Sequence, residues 1–251
     1  MDIELFHRIQ QERPANRLRS LPNSRVINDA AGVAWWPMAA TNRVTLSREL
    51  IAQTAIELID SEGFEALSMR KLGSALGVEA MSLYHYVENK DDLLDAIVDN
   101  LYAELTLPTD ISADDWEQAF RLGLHSFYDV LLRHPAALRL FSLRPASSRN
   151  ALVVMSWAFE RCRMVGLTPE QAAETFHYCV SYVMGHAATE LGLTARIKSG
   201  EDLAEVFGDT DDPDFKAFLL HVSEVGVNQV FEIGLDTLLN GLAATYGLKR
   251  A

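Results

Sequence analysis

Between Leu67 and Leu94 the chain reads LSMRKLGSALGVEAMSLYHYVENKDDLL, with cations, tyrosines and small polar residues spaced to meet a polyanion. Arg70 carries a planar fork of donors that can pair bidentately with guanine, a contact worth roughly 1–3 kcal/mol of base discrimination. Tyr84 and Tyr86 can donate their hydroxyls to phosphate oxygens, which fixes register without reading sequence. Lys90 adds a positive charge where a helix begins, and free amides at a helix N-terminus already favour a phosphate. No nucleophile–base–orienter set, phosphate-cradling glycine loop or metal-ligand cluster stands beside these residues, so the chemistry on offer is binding.

The same stretch supplies the elements that must hold those groups. Ser68 is placed to cap a first helix, with Leu67 and Leu72 at the spacing of a hydrophobic staple. Leu72, Ala75 and Leu76 form an apolar face, and Gly77 ends the helix where a left-handed residue is needed. Val78 opens a second helix in which Leu83 and Val87 point inward. Ala80, Met81, Ser82, Tyr84, His85 and Tyr86 are left on the outer face. Asn89, with Asp92 three residues on, caps a third helix. Two helices of about two turns joined by a glycine turn make a helix-turn-helix, and the second is expected to be the recognition helix. The alternative is that Tyr84 and Tyr86 complete the core of a small three-helix unit.

Upstream, Ser47 caps a helix running to about Glu62, with Leu46 and Ile51 as its staple, an apolar stripe of Ile51, Ala55, Leu58 and Ile59, and Gly63 as its stop. Downstream, a helix from Lys90 to about Leu105 carries Leu93, Leu94, Ile97, Val98 and Leu101. Pro108, Thr109 and Asp110 mark a domain junction. Beyond them the pattern is helical throughout: about Ala113–Arg133, Pro135–Leu143, Ser147–Val165, Pro169–Leu193, Asp214–His221 and Val222–Tyr246. No period-2 strand pattern occurs, so the fold class is all-α. The expected organisation is an N-terminal extension over 1–44, a helix-turn-helix domain over 45–107 and a helical ligand-binding and dimerisation domain over 108–251.

A formal charge of −13 and a 49% apolar composition fit a soluble globular protein. Taken alone that charge argues against nucleic acid, but only the docking face must be positive. From Arg8 to Arg25 the extension carries five arginines against Glu12, a net +4; the expected reading is a flexible extension, and the alternative is an arm that follows a phosphate backbone or enters a minor groove. Cys162 and Cys179 show no metal or CxxC spacing and read as buried, reduced thiols. Neither a signal peptide nor a membrane span is apparent, so a cytoplasmic location is expected.

The segment Leu46 to Leu105 closely resembles the DNA-binding domain of the TetR (tetracycline-repressor) family. The resemblance is carried by LSRELIAQTAIELIDSEGFEALSMRKLGSALGV followed by LYHYVENKDDLL, above all by Leu83-Tyr84, Tyr86 and Lys90. It implies a homodimer that binds double-stranded operator DNA and is released by a small-molecule effector. It also implies that Arg70 and Lys71 approach bases and phosphates, that Ser82, Tyr84, His85 and Tyr86 dock along the groove, and that Lys90 binds a phosphate. With their neighbours, the candidate DNA-contacting set is Arg48, Ser68, Arg70, Lys71, Ala80, Met81, Ser82, Tyr84, His85, Tyr86 and Lys90. Glu79 departs from the family pattern, which often has a small polar cap at that helix start.

A fainter resemblance to the tetracycline-repressor type of C-terminal domain covers most of the rest. In that type a metal-binding histidine stands four residues before an Arg-Pro pair. Here Arg144-Pro145 is present but the corresponding residue is Leu140, so a magnesium–tetracycline site is not expected and the effector should be more apolar. No cofactor or metal is expected. Phe127, Leu140, Leu143, Trp157, Phe176, His177 and Tyr182 are the candidate cavity residues. His186 and Glu190, four apart, are expected to pair along their helix. Small and leucine side chains, Gly185, Ala187, Ala188 and Gly192 on one helix and Val230, Gly234, Leu238, Gly241 and Leu242 on another, suggest a four-helix dimer interface. The expected function is thus a ligand-responsive transcriptional regulator, a repressor. The competing reading is an all-α carrier or enzyme that keeps a helix-turn-helix as scaffold.

Overall fold

The structure, a computed structural model, describes residues 45–112, 115–144, 147–199, 212–224 and 227–249. The basic arm and Pro145 lie outside these residues. Among them the regular elements are helical: α1 (Arg48–Glu62), a 3-10 turn (Phe64–Ala66), α2 (Met69–Leu76), α3 (Ala80–Leu83), α4 (Lys90–Ala103), α5 (Trp116–Arg133), α6 (Pro135–Leu143), α7 (Arg149–Met164), α8 (Pro169–Lys198), α9 (Pro213–Glu224) and α10 (Val227–Tyr246).

The caps fall largely where local chemistry places them. Ser47, Ser68 and Asn89 each accept a backbone amide from the first turn of α1, α2 and α4, and Gly77 closes α2 in the left-handed region at φ 67°. Several expectations shift. α7, expected from about Ser147, starts at Arg149 with Ser148 as its cap, whose hydroxyl accepts the Ala151 amide. α8 runs five residues past the expected Leu193, and α3 is a single turn whose chain continues as hydrogen-bonded turns to Val87. Ala75, expected on the apolar face of α2, is exposed, and Gly73 is buried in its stead. A Cβ on Gly73 would stand 2.8 Å from the Val78 carbonyl oxygen and 3.1 Å from the Ala80 amide. The turn backbone therefore lies directly against α2, and only glycine leaves room for it.

α4 is the shared element. One side packs on α1, and another meets α6 and α7. α5 and α7 both pack on α8, and α10 lies against α8. The buried apolar side chains run as one cluster from Ile51 on α1 to Ala243 on α10, and Val44–Ala251 forms one compact unit. The connection between α4 and α5 is tied down by side chains that satisfy its backbone. The Ser126 hydroxyl accepts from the Thr106 amide at 2.7 Å, Trp157 Nε1 donates to the Pro108 carbonyl at 2.8 Å, and Arg161 donates to the Ile111 carbonyl at 2.7 Å. No described helix is long and apolar enough to cross a membrane.

Candidate functional site

The outer face of α2–α3 presents the residues that the motif singles out. Leu83 and Val87 are buried and anchor the α3 segment from below. Above them Met81 is 70% exposed, Tyr84 44% and Tyr86 40%, while Ala80 and Ser82 are half-buried. Neither tyrosine ring belongs to the buried core, which removes the reading of both as core aromatics. Arg70, His85 and Lys90 are exposed, and the structure gives them no hydrogen bond or ion pair among the described residues. Lys71 pairs with Glu62 at 2.6 Å, both side chains about half exposed, a contact that a phosphate can displace because exposed pairs are worth little. The Ser68 hydroxyl accepts the Lys71 amide, which still leaves acceptor capacity but aims the side chain along its own helix. Glu79 starts α3 with no side-chain cap and is exposed.

Arg48 turns its guanidinium toward the start of α4. Nη1 donates to Asp92 Oδ2 at 2.9 Å and to the Tyr86 carbonyl at 3.1 Å, and Nη2 donates to the Asp92 carbonyl at 3.1 Å. Asp92 also accepts the Glu88 amide at 2.8 Å. The hydrogen bond from Arg48 is the main reason the Asp92 carboxyl is held below its ordinary range, and the same bond raises Arg48. The pair clamps the start of α1 to the junction between the Tyr86 turn and α4, so Arg48 positions the face that Tyr86 and Lys90 occupy.

Between α4 and the helices from α5 to α8 lies a cavity of about 290 Å³. Phe127, Trp157 and Phe176 line it, as expected, and the structure adds Tyr102, Phe120, Gly123, Phe141, Arg144, Cys162, Cys179 and Met184. Phe141 meets Tyr102 edge-on at 4.8 Å and Phe127 edge-on at 5.5 Å. Gly123 is there for Trp157. A Cβ at that position would stand 2.7 Å from the indole ring, so the missing side chain lets the ring seat against α5. Burial pushes the Cys162 thiol up to about 11 and that of Cys179 up to about 12, which keeps both as neutral, apolar wall.

Four expected cavity residues do not line it. Leu140 is buried in the core, Leu143 and His177 are exposed, and Tyr182 faces the other side of α8. There the Tyr182 hydroxyl donates to the Phe231 carbonyl at 2.6 Å, and its ring stacks on Phe231, which also stacks on Tyr128 at 4.0 Å. Helical spacing cannot tell these two faces apart when both are apolar. Glu190 accepts from the Tyr128 hydroxyl across helices, and no group of three or more His, Cys, Asp or Glu among the described residues could hold a metal ion.

The proposed dimer stripe is also revised. Ala187 and Leu242 are buried within this chain, and Gly234 admits the Tyr182 hydroxyl. Gly185, Ala188 and Gly192 on α8 and Val230, Ile233 and Gly241 on α10 remain exposed, each set at helical spacing along one line.

An exposed helix-turn-helix face is thus clamped to a shared helix, and an apolar cavity lies beneath that helix. Residues 51–97 match the model of bacterial regulatory proteins of the tetR family, and residues 107–246 match that of the tetracyclin repressor-like C-terminal domain. An HTH-type transcriptional regulator of Saccharopolyspora erythraea is 30% identical over 88% of this chain and 95% of its own. The class C tetracycline repressor protein of Escherichia coli is 29% identical over 78% of this chain and 90% of its own. Among solved structures, the Streptomyces coelicolor TetR family protein ActR, in complex with actinorhodin, superposes with a TM-score of 0.70 at 27% identity, covering 80% of this chain and 97% of that one. The chain belongs to the TetR family of transcriptional regulators. It is a ligand-responsive, DNA-binding regulator of the repressor kind, and its partners are operator DNA, a small-molecule effector and a second copy of itself. It thus falls in a family of regulators, not of enzymes.

Proposed function

We propose that this cytoplasmic homodimer holds its operator through Arg70, Lys71, Tyr84, Tyr86 and Lys90 and releases it when a largely apolar effector enters the cavity beside Phe127, Trp157 and Phe176. The observation that carries this reading is the position of α4. The same helix bears Lys90 beside the recognition segment and contributes Tyr102 to the cavity wall. A ligand that changes the wall therefore acts on the element that orients the head, by no more than its difference in affinity for the two states. The exposed small-residue lines on α8 and α10 suit a two-fold four-helix contact, which would carry two recognition segments to half-sites about one DNA turn apart or a multiple of it.

The test is fluorescence anisotropy with the DNA upstream of the protein's own gene, comparing wild type with Arg70→Ala and Tyr86→Ala. The expected result is nanomolar binding that weakens steeply with salt and falls roughly 10-fold or more in each variant. Absence of binding there, and in a selection over the whole genome, would overturn the repressor reading in favour of a carrier.

A further inference from the structure

The cavity wall is mostly apolar and carries one charged residue. Among the described lining residues Arg144 is the single cation, and none is a carboxylate. Arg144 sits at the C-terminal end of α6, with its side chain 18% exposed. Arg144 borders the cavity, and its guanidinium lies against α4, where Nη1 donates to Asp95 Oδ1 at 3.1 Å and Nη2 donates to Asp91. Those two carboxylates are mostly in water, Asp91 82% exposed and Asp95 53%. The present arrangement thus joins a largely buried cation to two solvated anions, which is the weak kind of ion pair. A carboxylate arriving through an apolar cavity meets the same planar fork with little water left, where a bidentate charge-assisted pair is strongest.

Resting on the cavity reading above, we infer that the effector is an apolar molecule bearing an acidic group, and that Arg144 anchors this group by exchanging Asp91 and Asp95 for it. The exchange has a direct structural consequence. Asp91 lies in the first turn of α4, next to Lys90 and to Asp92, the residue that Arg48 clamps. Withdrawing the guanidinium frees that turn from α6 and leaves Asp91 and Asp95 as unneutralised negative charges close to where a phosphate would sit. Both effects lower affinity for DNA. An amine-bearing effector is disfavoured for the converse reason, since it would bring a second cation to Arg144 without a wall carboxylate.

The test uses a matched pair of probes, 2-naphthoic acid and 2-naphthamide, titrated calorimetrically into the full chain at neutral pH, where the acid is ionised. The wild type should bind the acid at least about tenfold more tightly than the amide. In Arg144→Gln that preference should shrink to within about twofold while the amide affinity stays put, which also shows that the variant cavity is intact. Arg144→Lys should keep part of the preference. The acid, and not the amide, should weaken operator binding by wild type. Equal affinity for the two probes in wild type, or an acid preference that survives in Arg144→Gln, would overturn the anchor and leave the apolar cavity standing. Failure of both probes to bind would remove the effector cavity itself, and the anchor with it.

Discussion

The exposed helix-turn-helix face and the apolar cavity are built on opposite principles. The face is largely local: from Ser68 to Lys90 it is shaped by caps at Ser68 and Asn89 and the left-handed Gly77, with the Arg48 clamp as its one long-range tie. The cavity is assembled from α4, α5, α6, α7 and α8, so that Tyr102, Phe120, Trp157 and Phe176 meet only after the chain has folded. A local device tolerates change elsewhere in the chain and is sensitive to its own turn geometry. A distributed cavity is sensitive to volume at any of its walls. Substitutions should therefore separate the two cleanly, and where they do not, α4 is the reason.

The largest separation is expected at Gly73. Gly73→Val places side-chain carbon against the Val78 carbonyl and the Ala80 amide, neither of which can move without lifting α3. Overpacking of this sort is worth about 1–3 kcal/mol, and here the strain falls on a single turn of helix. Operator binding in the anisotropy assay should fall by 10-fold or more, while 2-naphthamide binding, measured by calorimetry, stays within about twofold. Loss of both would show that the head and the cavity stand or fall together.

Arg48 and Lys90 sharpen the contrast within the head. Arg48→Met removes the clamp on Asp92 and on the Tyr86 carbonyl, so DNA affinity should drop several-fold with the slope of log affinity against log salt unchanged. Lys90→Ala should reduce that slope by about 1, the signature of one lost phosphate neutralisation. A change of slope in the Arg48 variant would show that it also neutralises a phosphate.

These pairs also show what sequence reasoning can reach. Caps, the glycine stop, the inward Leu83 and Val87 and the outward tyrosines follow from rules that act over three or four residues, and the all-α class follows from the periodicity. Arg48 could not be placed that way, because its partner Asp92 is 44 positions on. Gly73 escaped notice because its use depends on where the turn backbone passes, although a glycine inside an otherwise good helix was a signal. In the C-terminal helices the apolar residues cover more than one face. Tyr182 and Phe176 therefore look alike in the sequence, yet one closes against Phe231 and the other against the cavity.

On the cavity side, Gly123→Ala presses a methyl group into the Trp157 ring, whose nearest atom would be 2.7 Å away. The ring must shift into the chamber or lose its hydrogen bond to the Pro108 carbonyl. Binding of 2-naphthamide should weaken about three- to tenfold by calorimetry, with operator affinity unaltered. An unaltered probe affinity would mean that the indole has room to slide, and that the chamber is less tightly fitted than its walls imply.

The smallest effect, and the one that tests whether the two regions are insulated, is a pH dependence at their second point of contact. His134, at the turn between α5 and α6, bonds Asp60 of α1 through Nδ1 at 2.6 Å and Glu104 through Nε2 at 3.1 Å, and Arg133 also reaches Glu104. The bond to Glu104 is the main cause raising His134 above its ordinary 6.5, with Asp60 adding to it against the opposing effect of burial. The bond from His134 is in turn the main cause holding Glu104 below its ordinary 4.5. A raised histidine contributes stability that is complete below 6.5 and is lost as pH climbs through its folded value. A lowered carboxyl contributes stability that is present above 4.5 and is lost as pH falls through its folded value. The strap is therefore tightest between these limits and slackens on the alkaline side first. Its partners are partly exposed, so solvent screening should keep the loss within about 1 kcal/mol. Chemical denaturation of wild type at pH 6 and pH 8.5 should show a decrease that His134→Gln abolishes, with the cavity probe binding equally at both. If the decrease persisted in the variant, the alkaline sensitivity would belong to some other group, and the strap would be a passive contact between head and body.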